Sequence, residues 1–119
     1  MKYNFNGFTS KANEALNLSI SFAESMGHTY VGSEHLLLGL LKLGSGVAYS
    51  VLTKNGVTAE DIEEQFRTQI GSGTPTRLSP DYFTPRAKKA IETAMRGCNS
   101  MGKKYAGTEH LLIGILSEG

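Results

Sequence analysis

Two Glu-His pairs, Glu34-His35 and Glu109-His110, are the first residues of this chain whose types and spacing suggest chemistry. A carboxylate beside an imidazole on a helix is a component of zinc hydrolase sites. That chemistry needs two His four residues apart on the helix, or, in the inverted form, a His three residues before the Glu. Those earlier positions hold Val31 and Ala106, and three His in all, with His28 unmatched near the second pair, do not build two metal sites. No metal ligands are assigned. Gly97-Cys-Asn-Ser-Met-Gly102-Lys103-Lys104 resembles a phosphate-binding loop, but Lys104 stands where a magnesium-binding hydroxyl is required. The stretch also reads as a helix end, whereas a P-loop leads into a helix N-terminus. Cys98 falls on the apolar face of its helix and reads as a core thiol. No nucleophile–base set and no paired acids at catalytic spacing remain, so no catalytic residue is assigned and the chain reads as a binding module.

The Glu and His of each pair have other uses. An imidazole in the first turn of a buried helix is expected to donate to a loop carbonyl and pin the loop. A carboxylate in the first turn is favoured by the helix dipole by ~0.3–1 kcal/mol, which alone would account for Glu34 and Glu109. Their duplication beside Gly and a small hydroxyl residue fits a ligand contact equally well.

The elements that position these residues are duplicated. Shifting the chain by 75 residues aligns 8–41 with 83–116 without a gap, and 15 of the 34 pairs are identical. Phe8-Thr9 matches Phe83-Thr84, Ser25-Met26-Gly27 matches Ser100-Met101-Gly102, and Gly32-Ser33-Glu34-His35-Leu36-Leu37 matches Gly107-Thr108-Glu109-His110-Leu111-Leu112. Each unit opens with an amphipathic helix. The stripes are Ala12, Ala15, Leu16, Ser19, Ile20, Ala23, Met26 and Ala87, Ala90, Ile91, Ala94, Met95, Cys98, Met101, at helical spacing. Thr9 and Thr84 are the expected N-caps, with Pro85 at the first helical position, and Gly27 and Gly102 the expected stops. A second helix from Ser33 or Thr108 is apolar nearly all round, which places it centrally. A third is expected over Val47, Ala48, Val51 and Leu52, closing at Asn55-Gly56. A fourth, with Thr58 as N-cap and Asp61 three residues on, carries the stripe Ile62, Phe66, Ile70. No strand is expected.

The expected fold is therefore all-α: a tandem four-helix repeat with pseudo-twofold symmetry in a single domain over 1–119. Repeat one spans 8–70, a Gly/Ser/Pro-containing linker 71–82, and repeat two 83–119. Repeat two is truncated, because counterparts of the third and fourth helices are missing. That should expose part of the helix bearing Leu111, Leu112, Ile113, Ile115 and Leu116. Either the chain is a piece of a longer protein, or another chain covers that surface.

Composition narrows the class. The 119 residues are 39% hydrophobic and 19% charged, a globular balance. The net charge of +1 lacks the basic excess that phosphate-held nucleic-acid binders show, so no nucleic acid is expected. Five basic against seven acidic residues in 1–70, and seven against four in 71–119, leave only a mild asymmetry. The Arg86, Lys88, Lys89 cluster reads as a solvated helix face, or else as a contact for an acidic partner. One Cys fits a reducing compartment, and no run approaches the ~20 apolar residues of a membrane span or the core of a signal peptide. The expected location is the cytoplasm, without membrane attachment.

The double motif Phe-Thr-x-Lys/Arg-Ala, then Met-Gly-x-x-Tyr-x-Gly-Ser/Thr-Glu-His-Leu-Leu-x-Gly, resembles the N-terminal domain of Clp-type AAA+ unfoldases, most of all the class C members. The likeness covers about 8–119. It implies a non-catalytic domain that docks adaptors and substrate proteins ahead of two ATPase rings. ATP and magnesium, a homo-hexameric assembly and a peptidase partner would belong to the parent protein, and no cofactor to this chain. Class C domains also imply recognition of phosphoarginine tags, one site per repeat. The residues support this from below: a helix N-terminus offers free N–H groups to phosphate, and a carboxylate can pair with the guanidinium. Thr9, Ser10, Lys11 and Ala12 with Glu34 would form site one. Thr84, Arg86 and Ala87 with Glu109 would form site two, where Pro85 removes a donor. Phe5, Phe8 and Phe83 lie close in sequence; they form an apolar wall, or Phe8 and Phe83 serve as hydrophobic staples before the caps. Two other classes stay in view: a stand-alone self-associating helical module, and a small hydrolase or metal enzyme.

Overall fold

The computed structural model describes residues 3–69, 71 and 73–118. Ile70, Ser72 and Gly119, which entered the reading of the fourth helix, the linker and the end of repeat two, lie outside these. Six α-helices follow in order: α1 (Ser10–Ser25), α2 (Ser33–Leu43), α3 (Val47–Lys54), α4 (Ala59–Gln69), α5 (Pro85–Ser100) and α6 (Thr108–Glu118). One turn of 3-10 helix, Pro80–Tyr82, precedes α5. No strand forms among the described residues, so the all-helical expectation holds.

The local signals act where the residues place them. Thr9 Oγ1 accepts from the Ala12 amide at 3.2 Å and Thr84 Oγ1 from the Ala87 amide at 3.1 Å. Thr58 Oγ1 accepts from the Asp61 amide at 3.2 Å at the start of α4. Gly27 and Gly102 follow α1 and α5 with φ of +72° and +71°, the left-handed conformation glycine tolerates best.

Packing is dominated by two antiparallel pairs, α1 on α2 and α5 on α6, with α2 and α6 at the centre. Glycine makes these approaches close. A Cβ on Gly39 would collide with the Ala15 carbonyl and Ser19 Oγ, and one on Gly114 with the Ala90 carbonyl. The core gathers Leu16, Leu36, Leu40, Leu111 and the alanines of α1 and α5. Met101, expected on the buried stripe of α5, is instead 65% exposed, because it caps the helix after the chain has begun to turn away.

The two repeats are joined by a reciprocal backbone exchange. The Thr9 amide donates to Ala106 O at 2.9 Å and the Ala106 amide to Gly7 O at 2.8 Å. At the matching junction the Thr84 amide donates to Val31 O and the Val31 amide to Tyr82 O, both at 3.0 Å. Each helix lead-in thus pairs with the loop of the other repeat, the relation a twofold axis produces.

The linker is strapped along the end of α1. The Gly73 amide donates to Met26 O at 2.7 Å, and the Leu78 amide to Glu24 Oε2 at 2.7 Å. α6 shows the expected exposure only in part. Leu111, Leu112 and Ile115 are buried against the rest of the domain, whereas Ile113 and Leu116 are 57% and 68% exposed. Their counterparts Leu38 and Leu41, at 0% and 4%, lie on the helix that packs against α3 and α4.

Candidate functional site

The exchange of lead-ins decides which candidate residues meet. The N-terminus of α1 opens onto a cavity of about 460 Å³ whose lining includes Thr9, Ser10, Lys11, Lys103, Thr108 and Glu109. Thr9 therefore faces Glu109 of repeat two and not Glu34 of its own repeat, which corrects the pairing drawn from sequence. The second junction brings Thr84 to Val31, three residues before Glu34. The α1 cavity is a composite, with a helix N-terminus from one repeat and a carboxylate from the other; at the second junction Glu34 instead lines a cavity with residues of α2 and α4, and no cavity joins it to Thr84, Arg86 or Ala87 among the described residues.

Individual residues fall as follows. The Ala12 and Ala87 amides are consumed by the Thr caps, so neither is free for a ligand. The amides that α1 itself leaves unbonded at its start are those of Ser10 and Lys11. At α5, Pro85 has none and Arg86 supplies one. Lys11 Nζ donates to Ser45 Oγ at 2.8 Å, which holds its ammonium near the start of α3. Glu34 is exposed, accepts from Ser33 Oγ at 3.2 Å, and lines a second cavity of about 120 Å³ with Leu37, Ile62, Gln65, Phe66 and Gln69. Phe8 and Phe83 are buried at the two lead-ins; Phe5 is half-buried, 6.1 Å from Phe83 between ring centres. Phe5 and Phe8 also border a groove of about 480 Å³ with Ile91 and Met95.

Thr108 and Lys103 were missed as site residues. Thr108 is the repeat partner of Ser33, and its Oγ1 accepts from the Ala48 amide at 3.3 Å, which ties the start of α3 to that of α6. Lys103 lay in the stretch resembling a P-loop. That stretch closes α5 rather than opening a helix, so it cannot cradle phosphate as a P-loop does.

The histidines differ from expectation. His35 Nδ1 accepts from the Gly32 amide at 2.9 Å, and His110 Nδ1 from the Gly107 amide at 3.0 Å. Each imidazole thus closes the start of its own helix instead of donating to a loop carbonyl. Burial, and next to that the neighbouring His28, push the His35 pKa down to about 4. Among the described residues no group of three or more His, Cys, Asp or Glu is placed to hold a metal ion.

The composite cavity can take an anion on the α1 amides and the ammonium groups of Lys11 and Lys103, and a cation on Glu109. The domain is duplicated and all-helical, and this cavity lies at one seam between its repeats. The model of the Clp repeat N-terminal domain family matches residues 7–119, and the chain belongs to that family. It is 40% identical over 115 residues to the negative regulator of genetic competence ClpC/MecB of Bacillus subtilis, and 40% identical to the chaperone protein ClpB of Oceanobacillus iheyensis. Each alignment covers 97% of this chain and 14% of the relative, so the chain spans about one seventh of their length. The N-terminal domain of ClpD from Arabidopsis thaliana superposes with a TM-score of 0.74 at 26% identity, covering 95% of this chain and 77% of that one. No single helix among the described residues is long and apolar enough to cross a membrane.

Proposed function

We propose that this chain is the docking domain of a Clp-type unfoldase, receiving adaptors and substrate proteins, and that its two seam sites take phosphoarginine. The composite cavity carries the reading. A phosphorylated guanidinium bears an anion and a cation a few ångströms apart, and the cavity presents helix amides with Lys11 and Lys103 beside Glu109. In the parent protein, ATP hydrolysis would be the work of modules outside these residues, and a peptidase would receive the unfolded chain. Calorimetric titration with free phosphoarginine tests the proposal. Two saturable events per chain are expected, and neither arginine nor inorganic phosphate alone should match them. Absence of binding, or equal affinity for phosphate alone, would overturn it.

The domain itself is expected to hydrolyse no ATP. Magnesium-dependent turnover that survives purification and disappears in Lys103→Ala would contradict this.

A second reading, self-association, draws on the exposed Ile113 and Leu116. An apparent mass that rises with concentration in light scattering, and returns to the 12.8 kDa of one chain in Ile113→Ser/Leu116→Ser, is its expected signature. A constant mass ends that reading. Both side chains are exposed already, so the double change should leave the melting temperature within a few degrees.

A further inference from the structure

His28 and His35 form a buried relay with one direction. The Gly32 amide can only donate, so His35 Nδ1 accepts, at 2.9 Å. The Gly71 carbonyl can only accept, so His28 Nε2 carries a hydrogen and donates to it, at 3.0 Å. With one hydrogen per neutral ring, the middle contact follows: His35 Nε2–H donates to His28 Nδ1, at 2.8 Å. Every ring nitrogen is used. Any further proton, on either ring, sets two donors against each other at Gly32 or between the rings.

The surroundings offer an added charge no relief. α1 contributes the ring of Phe22, 6.3 Å from His35, and α4 the ring of Phe66, stacked on His35 at 4.6 Å. The loop contributes Tyr30, stacked on His28 at 6.1 Å and edge-on to His35 at 5.4 Å. The charged groups on these elements are engaged elsewhere or face solvent. Glu24 of α1 accepts from the Leu78 amide, Glu34 of α2 is exposed, and on α4 Glu63 pairs with Lys42 while Arg67 pairs with Glu63 and Glu64. No carboxylate bonds either imidazole among the described residues. Repeat two has no such device: Lys103 stands at the His28 position.

We propose that the His28–His35 pair is a proton-sensitive latch, holding the linker and α4 over the start of α2 when neutral and releasing them on protonation. Release would free Gly71 and unstack Phe66, which opens the cavity that Glu34 borders. The sign follows from the direction of the shift. His35 is held at about 4 in the closed state and returns to about 6.5 when open, so the latch is fully closed above pH 6.5 and weakens as pH falls toward 4. Linkage makes local opening roughly 30-fold more favourable at pH 5 than at pH 7.5.

Hydrogen exchange on the intact chain reads this directly. Between pH 7.5 and 5, protection factors corrected for intrinsic exchange should fall about 30-fold at Gly73 and along α4, and far less in the middle of α5. Unchanged protection, or an equal fall everywhere, would overturn the proposal. His35→Gln supplies the residue usual at this position of a capping box, with an acceptor for Gly32 and nothing to titrate, and should flatten the profile. A wild-type profile in that variant would refute the latch. Glu24→Gln should leave the profile intact; its loss there would assign the release to Glu24 instead. Nitrogen-15 spectra of the wild-type imidazoles do not depend on any variant folding. At pH 7.5 both rings should be neutral with hydrogen on Nε2, and a charged ring or hydrogen on Nδ1 of His35 would end the proposal.

Discussion

The Glu34→Ala/Glu109→Ala double variant is expected to give no heat of binding with free phosphoarginine while keeping its helical circular dichroism. Glu34 is exposed and, among the described residues, bonds only the neighbouring Ser33 hydroxyl, and Glu109 is half-buried and lines the α1 cavity, so neither carboxylate is packed into the core. A charge-assisted contact to the guanidinium is worth ~1.5–3 kcal/mol, so each single variant should lose its own site by about tenfold or more. The crossed geometry sharpens the expectation. Lys11→Ala should be non-additive with Glu109→Ala and additive with Glu34→Ala, because Lys11 lines the cavity of Glu109. The alternative, a carboxylate that only balances the helix dipole, predicts a small stability loss and unchanged binding. Wild-type affinity in the folded double variant would remove Glu34 and Glu109 from the site.

Gly39→Ala and Gly114→Ala should each lower stability by about 2–3 kcal/mol, a drop of ~10 °C or more in melting temperature. In an open helix the same change stabilises by up to ~1 kcal/mol. Here the new methyl meets backbone, the Ala15 carbonyl at Gly39 and the Ala90 carbonyl at Gly114, and at Gly39 the Ser19 hydroxyl as well. Neither carbonyl can rotate aside, since each is held in its own helix, so the paired helices must separate. Gly97, inside α5 with open space where its Cβ would lie, is the matched control, and Gly97→Ala should hold or raise the melting temperature. If all three variants melted alike, close glycine packing would not be what holds the helix pairs together.

What could be read from the residues was what acts locally. Thr9 and Thr84 cap because a hydroxyl three residues before an amide needs no distant partner. Gly27 and Gly102 stop helices for an equally local reason. The offset of 75 residues also revealed the repeat. It did not reveal the crossing, because an internal alignment states which residues are equivalent, not which ones touch. Thr9 and Glu34 are equivalent to Thr84 and Glu109, yet the twofold relation places Thr9 beside Glu109. The junctions run through backbone groups of Gly7, Val31, Tyr82 and Ala106, which leave no side-chain signature in a sequence. His28 was hidden for a related reason: lacking a counterpart in repeat two, it fell outside the comparison that exposed everything else.

The crossed lead-ins are the contacts of an isologous dimer, in which the patch each partner offers is the patch it receives. One repeat alone holds half of each junction: a helix lead-in with no loop to receive it, and a loop with no lead-in. The linker from Gly71 onward then does what a second folding partner's concentration would otherwise have to do. It makes assembly of the seam intramolecular, so both junctions form whenever the chain folds, however dilute the protein. Cleavage of that linker would turn the two junctions from properties of a fold into properties of a binding equilibrium between two halves.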